Sequence, residues 1–194
     1  HMLESMVGEP IPTRAEVTDV ANAVFEQADA IMLSSETSVG QFPTMCVEAM
    51  DRIARRMEHE EGARFHEKAV LSDERQKLAK VAVQMADDME ARALVVFTVE
   101  GKMVPESAWM RPREAKIIAL CPNARVAGEM SLYRGVVPVV IEEVHSELPE
   151  EEVEAALEIL KEKVLLKSGD TVVVISSKLA VEEIADSVQM QRVS

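Results

Sequence analysis

Residues Pro12–Pro43 read PTRAEVTDVANAVFEQADAIMLSSETSVGQFP, and this stretch decides the first part of the fold. It begins with the pattern of a helix N-terminus, because Thr13 can serve as the N-cap and Glu16, three residues later, can complete a capping box. Apolar side chains then recur at helical spacing. They are Val17, Val20, Ala21 and Val24. The pattern predicts a helix that buries one face.

The residues after this helix predict a strand, a loop and a second helix. Ala28–Ser34 is a short and nearly continuous apolar run, which is typical of a strand buried on both faces. Ser35–Phe42 is polar and contains Gly40, which predicts a loop. Pro43 then opens an amphipathic helix to about His59. Its apolar face is expected to consist of Val47, Met50, Ile53, Ala54 and Met57.

A polar stretch with a glycine, Glu58–Lys68, separates this first part from the rest of the chain. We place the domain boundary between residues 66 and 67. His59 and His66 lie in this stretch without a carboxylate or cysteine at ligand spacing. The pattern predicts exposed linker histidines and no metal site.

Residues 70–194 alternate between helical and strand patterns. Ser72 is the expected N-cap of a helix to about Met89, with an apolar face of Leu78, Val81, Ala82, Met85 and Met89. Strands are predicted at Ala93–Thr98, Lys116–Cys121, Val136–Glu142, Thr171–Ser176 and Ser187–Val193. Helices are predicted at Val104–Met110, Ala124–Tyr133 and Pro149–Leu165. This alternation predicts an α/β domain of about five mainly parallel strands with helices on both faces.

Composition narrows the class of protein. The net charge of −14 argues against nucleic acid and against an anionic membrane surface as partners. No apolar run approaches the roughly 20 residues that span a bilayer, and no leader pattern opens the chain. Cys46 and Cys121 lie in apolar surroundings, which predicts buried thiols in a reducing compartment. A cytoplasmic location is expected.

Three sequence stretches resemble pyruvate kinase. The first is PTRAEVTDVANAV with ADAIMLSSET, preceded by MLESM at Met2–Met6. The second is LYRGVVPV at Leu132–Val139, which is similar to the family's LYRG-x-x-PV. The third is Arg111-Pro112 followed by KIIAL, which resembles YRP-x-x-PIIA. The resemblance implies that residues 1–66 are a fragment of a (β/α)8 barrel, with helix 7, strand 8 and helix 8, and that residues 67–194 are the C-terminal α/β domain.

The resemblance also implies a function and a site. The family transfers a phosphoryl group from phosphoenolpyruvate to ADP in glycolysis, giving pyruvate and ATP, with magnesium and usually potassium. Barrel active sites lie in the loops after the strands, so the residues after strand 8 belong to the catalytic face. By resemblance Ser34 takes part in a proton relay, and Glu36 lies in the same loop. The family pattern LSGETA-K-G has glycine at the position of Ser35 and lysine at the position of Val39.

The family's remaining catalytic side chains come from earlier barrel strands. They include the lysine facing the phosphoryl group, the acids that hold magnesium and the phosphate-binding arginine. We therefore expect this chain alone to be inactive and to hold no cofactor, with phosphoenolpyruvate, ADP, magnesium and potassium bound only by the full-length enzyme. The alternative is a stand-alone module of the same fold with a regulatory or assembly role and no catalysis.

Self-association is expected from two features. Arg14 and Asp19 match positions at a subunit interface of the family. The strand expected at Ala28–Leu33 would lack the two barrel strands that flank it, and unpaired strand edges recruit partners. We expect it to pack against a second copy or against the C-terminal domain.

A degenerate effector site is expected after the first strand of the C-terminal domain. In the family a Ser/Thr-rich turn there binds a phosphorylated effector. Thr98, Gly101 and Lys102 could hold a phosphate, but Glu100 places a carboxylate beside them, and like charge opposes phosphate binding. The second half of that site, a Gly-rich loop, is replaced by Lys178–Ser187, which contains three acids and no glycine. We predict no binding of a fructose-bisphosphate-type effector.

Overall fold

A computed structural model describes residues 2–98, 101–141, 149–180 and 183–194. The chain divides into two compact units, His1–Lys68 and Ala69–Ser194. The division lies close to the boundary expected from the polar stretch Glu58–Lys68.

The first unit is helical in its described residues. A 3-10 turn at Glu4–Val7 precedes α1 (Arg14–Phe25), α2 (Ser35–Ser38), α3 (Pro43–Met57) and α4 (Phe65–Lys68). α1 packs against α3, and α2 contacts both α3 and the 3-10 turn. The buried core consists of Leu3, Met6, Val20, Cys46 and Ala49.

The start of α1 confirms the capping box. The Thr13 side chain accepts a hydrogen bond from the Glu16 backbone N–H at 3.3 Å. The Glu16 carboxylate in turn accepts one from the Thr13 N–H at 2.7 Å. Two N–H groups that a helix start leaves without partners are therefore satisfied reciprocally.

The strand predicted at Ala28–Ser34 is wrong, since the segment forms no ladder. A strand requires a hydrogen-bonded neighbour, and among residues 2–68 the structure contains no strand. Burial on both faces is wrong as well. Ile31 and Leu33 pack against the core, whereas Met32 between them is 79% exposed. Alternation of this kind indicates an extended segment with one buried face.

Two details around α3 also differ from expectation. The loop predicted at Ser35–Phe42 begins with one helical turn, α2. The buried face of α3 includes the predicted Met50 and Ile53 and, beside them, Cys46 and Ala49, whereas the predicted Val47 is 54% exposed.

The second unit is a three-layer α/β domain, as predicted. Its strands are β1 (Ala93–Phe97), β2 (Lys116–Cys121), β3 (Val136–Val140), β4 (Thr171–Ala180) and β5 (Glu183–Arg192). Its helices are α5 (Glu74–Asp88), α6 (Met103–Trp109), α7 (Ala124–Met130) and α8 (Pro149–Glu162). The strand order is β3-β2-β1-β4-β5, and only the β4–β5 pair is antiparallel.

The sheet buries both faces because its side chains alternate between two cores. In β1, Leu94 and Val96 join a cluster with residues of α5, α6 and α7, whereas Ala93 and Val95 join a cluster with α8. Nearly continuous apolar strands are the expected consequence of helices on both faces. The single Trp of the chain, Trp109, ends α6 and is 36% exposed.

The start and the buried face of α5 differ from prediction. The N-cap is Asp73 and not Ser72, since the Asp73 carboxylate accepts a hydrogen bond from the Arg75 N–H at 2.7 Å. Val81 is 58% exposed. The fully buried residues of α5 are small, namely Ala79, Ala82, Val83 and Ala86, and the predicted Leu78 and Met85 pack beside them.

Within Lys178–Ser187, the described residues 178–180 and 183–187 belong to two paired strands and not to a loop. β4 continues past the predicted end at Ser176 to Ala180, and β5 begins at Glu183. Residues 181 and 182 lie outside the described residues. The pairing extends beyond the sheet, because β1 accompanies β4 only as far as Ile175.

Both cysteines are buried and free, as predicted. Within the described residues no helix is long and apolar enough to cross a membrane.

Candidate functional site

The loop after Leu33 holds Ser34 by its backbone and leaves the residue exposed. The Ser34 carbonyl accepts hydrogen bonds from the Thr37 N–H and the Thr37 hydroxyl, both at 3.1 Å, and from the Ser38 N–H at 3.0 Å. These bonds form the single turn of α2. The Ser34 position is therefore fixed by backbone contacts.

Glu36 is fully buried at 0% exposure. Its Oε1 accepts a hydrogen bond from the Leu3 N–H at 3.0 Å, and its Oε2 accepts one from the Ser34 N–H at 2.7 Å. The Cys46 thiol donates to the Glu36 carbonyl at 3.6 Å. One carboxylate thus connects two segments that are more than thirty residues apart.

The electrostatics of Glu36 favour the charged form despite burial. Burial acts to raise the pKa of this carboxyl, but hydrogen bonds from the backbone N–H groups of Leu3, Glu36 and Ser34 outweigh it and lower the pKa below its ordinary value. Burial and the Glu36 charge together raise the pKa of the neighbouring Cys46 thiol. Glu36 is accordingly a carboxylate, and Cys46 a thiol, at neutral pH.

A second carboxylate, Glu16, holds the same N-terminal segment from the first turn of α1. It accepts hydrogen bonds from the Ser5 N–H at 2.7 Å, from the Ser5 hydroxyl, and from the Thr13 N–H and hydroxyl at 2.7 and 2.8 Å. Burial acts to raise the Glu16 pKa, but these bonds lower it to about 2. Sequence reasoning identified the cap and missed the contacts to Ser5, for which the sequence carries no local signal.

A backbone hydrogen bond completes the attachment, since the Gln41 N–H donates to the Val7 carbonyl at 3.0 Å. The segment Leu3–Val7 is therefore held at three points: by Glu36, by Glu16 and by Gln41. Hydrogen bonds therefore join the MLESM segment to the loop that resembles the one after strand 8.

Two protein-family sequence models match this chain. The sequence model for "Pyruvate kinase, barrel domain" matches residues 1–47, and the model for "Pyruvate kinase, alpha/beta domain" matches residues 76–188. The second match alone covers more than half of the chain.

This chain belongs to the pyruvate kinase family.

Curated relatives of the pyruvate kinase family come from distant organisms. Pyruvate kinase 2 of Synechocystis sp. is 34% identical over 179 residues, covering 92% of this chain and 30% of the relative. Pyruvate kinase of Thermotoga maritima is 34% identical over 177 residues, covering 91% and 37%. Pyruvate kinase PKLR of Homo sapiens is 36% identical over 189 residues, covering 91% and 32%. The chain spans about a third of the length of these relatives.

The positions matched to the pyruvate kinase subunit interface, Arg14 and Asp19, both lie exposed on α1. Arg14 is the first residue of the helix, and its carbonyl accepts a hydrogen bond from the Thr18 hydroxyl at 3.0 Å. The interface role of these two residues stays a prediction.

The residues matched to the pyruvate kinase effector site meet at the carboxyl end of β1. The Gly101 N–H donates to the Thr98 hydroxyl at 2.7 Å. Gly101 is buried with a φ of 79°, and Lys102 is exposed. Val99 and Glu100 lie outside the described residues. The Gly101 N–H is thus engaged within the turn.

The two linker histidines differ in exposure, since His59 is exposed and His66 is half-buried in α4. Exposure of His66 was therefore predicted wrongly, because one helical turn forms where an open linker was expected. Among the residues that the structure describes, no group of three or more His, Cys, Asp or Glu side chains could hold a metal ion.

Proposed function

We propose that this chain is the closing portion of a pyruvate kinase, whose complete form transfers the phosphoryl group of phosphoenolpyruvate to ADP and yields pyruvate and ATP. The observation that carries the proposal is the pair of family matches, barrel domain before alpha/beta domain, at 34% identity to the Synechocystis relative over 92% of the chain. We assign the complete protein to the cytoplasm.

Ser34 is the residue of this chain that we assign to the reaction, as part of the proton relay to the enolate. Its geometry supports the role, because the Ser34 N–H is held by Glu36 and its carbonyl by Thr37 and Ser38. A fixed backbone limits the hydroxyl of an exposed serine to its few side-chain rotamers, and a proton-transfer group must lie within hydrogen-bond reach of its partner.

Magnesium does not fit Glu36, the buried acid of this loop. Both of its oxygens accept backbone hydrogen bonds, and the side chain is fully buried. Phosphoryl transfer depends on positioning and on neutralising charge with metal ions and cationic side chains. We therefore propose that the 194-residue chain alone does not turn over, and that its role is to complete and assemble the enzyme.

The test compares this chain with the complete reading frame from which it derives. We expect turnover of phosphoenolpyruvate and ADP from the complete protein, with magnesium and potassium, and none from the 194-residue chain. Ser34→Ala in the complete protein should lower kcat, and the matched variant Ser38→Ala, at the end of the same helical turn, should not. An inactive complete protein would support the assembly module instead.

Self-association is the second element of the proposal. Exposed apolar side chains in the first unit support it: Ile11 at 70%, Met32 at 79% and Val39 at 75%. Met32→Lys should reduce association in light scattering as concentration rises, as should Arg14→Ala. The control is Val70→Lys in the second unit, where Val70 is 94% exposed. A strict monomer at every concentration would contradict this part.

The third element is the lack of a sugar-bisphosphate effector. The engaged Gly101 N–H and the hairpin at Lys178–Ser187 support it. Thermal unfolding with millimolar fructose bisphosphate should show no shift, and a clear rise in melting temperature would contradict it.

A further inference from the structure

The buried carboxylate of Glu36 is the side chain that joins the Ser34 loop to the N-terminal segment. Glu36 contacts the backbone N–H of Ser34 and the backbone N–H of Leu3 with one oxygen each, at 2.7 and 3.0 Å. Both bonds are charge-assisted, and such bonds are roughly twice as strong as neutral ones.

The two contacts join the loop after Leu33 to the segment Leu3–Val7. Leu3 itself is fully buried and belongs to the core of the first unit, together with Met6. Core packing therefore opposes a displacement of Leu3. Because Glu36 binds the N–H groups of both Leu3 and Ser34, the same packing restricts the position of Ser34.

We propose that Glu36 is a positioning residue, which sets the place of the Ser34 hydroxyl by binding the Ser34 and Leu3 backbones, and that it is not itself a proton carrier in the reaction. This inference rests on the proposed function. The Glu36 carboxylate is fully buried, and each of its oxygens already accepts a hydrogen bond from a backbone N–H group. It is therefore not placed to exchange a proton with a substrate. Misplacement of a reacting group by about 1 Å can lower a rate about a hundred-fold.

Glu16 supplies a matched control. It is also a carboxylate held by N–H and O–H donors, and it binds the same segment at Ser5, two residues beyond Leu3. It does not contact Ser34. Loss of Glu16 should lower stability while Leu3 stays held by core packing and by Glu36, whereas loss of Glu36 should release Ser34.

The main test is steady-state kinetics on the complete enzyme with Glu36→Gln and Glu16→Gln. The amide that Glu36→Gln introduces would turn a donor toward one of the two N–H groups. We expect kcat of Glu36→Gln to fall about ten- to a hundred-fold with little change in KM, and kcat of Glu16→Gln to stay within about two-fold of wild type. Glu36→Asp keeps the negative charge on a shorter side chain, and its kcat should lie between those of wild type and Glu36→Gln. This variant provides the test if Glu36→Gln does not fold.

The pH profile separates positioning from proton transfer. A positioning role predicts that the profile of Glu36→Gln has the wild-type shape at lower height. Loss of one ionisation from the profile would make Glu36 a proton carrier and overturn the inference. Equal kcat values for the Glu36 and Glu16 variants would overturn it as well.

Amide exchange gives a readout that does not depend on activity. In the 194-residue chain, the Leu3 and Ser34 amide protons should exchange at least about ten-fold faster in Glu36→Gln than in wild type. Unchanged exchange would contradict the contacts themselves. An inactive complete wild-type protein defeats the proposed function, whereas an active wild type with unaffected Glu36→Gln kinetics defeats the positioning role alone.

Discussion

Gly40 lies directly against the carbonyl of Glu36, so closely that a Cβ on Gly40 would stand 2.3 Å from the Glu36 oxygen. The contact is with backbone, which cannot move aside as a flexible side chain would. The Gly40 N–H also donates to the Ser35 carbonyl at 2.9 Å. The close return of the chain over α2 therefore requires glycine at this position.

Gly40→Ala should destabilise the first unit by about 1–3 kcal/mol, the usual cost of forcing atoms into a filled space. The measurement is urea unfolding followed by far-UV circular dichroism. Gly8→Ala is the control, because no atom beyond the two chain neighbours lies within 4 Å of the Cβ position at Gly8. Equal effects of the two substitutions would refute the close contact.

The low pKa of Glu16 predicts a stability that depends on pH. The folded-state pKa is about 2 against an ordinary value of 4.5, so its contribution is complete above about pH 5 and is lost as pH falls toward 2. We expect wild type to lose about 2 kcal/mol over this range that Glu16→Gln does not lose, in keeping with hydrogen bonds to a charged group.

Unfolding free energies at about pH 7, 5, 4 and 3 would measure this difference. Glu4→Gln is the matched control, since Glu4 is an exposed residue of the 3-10 turn that Glu16 binds at Ser5. This variant retains Glu16 and should therefore lose stability toward acid as wild type does, and a Glu16→Gln curve parallel to wild type would contradict the assignment.

The N-cap of α5 can be tested directly. Asp73→Ala should lower stability by about 1 kcal/mol, because the Arg75 N–H loses its partner. Ser72→Ala should have little effect. The reverse order, measured by chemical unfolding, would restore the sequence-based choice of Ser72 as the cap.

Alanine substitutions at three glycines of the second unit distinguish the cost of backbone strain from the cost of steric crowding. Gly101 combines a φ of 79° with a Cβ position 2.6 Å from the Met130 methyl, whereas Gly135 has a φ of 75° and open space. Gly135→Ala should cost about 1 kcal/mol from backbone strain alone, and Gly101→Ala should cost more.

Gly128 is the third glycine and lies inside α7 in open space. Gly128→Ala should raise stability by about 0.5–1 kcal/mol, because alanine is the better helix former. Thermal unfolding should therefore rank the variants Gly128→Ala, Gly135→Ala and Gly101→Ala from most to least stable.

Much of the second unit could be predicted because its signals are local. Apolar runs defined β1 and β2 to within a residue, and alternation with helical patterns gave the parallel sheet. The end of β4 could not be predicted from the sequence, since residues 177–180 belong to the strand through their pairing with β5. Pairing of this kind depends on two segments at once.

The first unit shows where sequence reasoning fails. Ala28–Ser34 has the composition of a buried strand, but a ladder is a property of neighbours and not of composition. The capping box was visible because its residues lie three apart. Glu36 could be placed in its loop from the resemblance, yet its hold on Leu3, thirty-three residues away, required the structure.

The placement of the aromatic residues has a practical consequence for separating the two units. Trp109 and the single Tyr, Tyr133, both belong to the second unit. Tryptophan emission during denaturation therefore follows the α/β domain alone, while the loss of helical ellipticity includes α1 and α3 as well. Tryptophan fluorescence thus reports on the second unit. Different midpoints for the fluorescence and the ellipticity would show that the two units unfold independently.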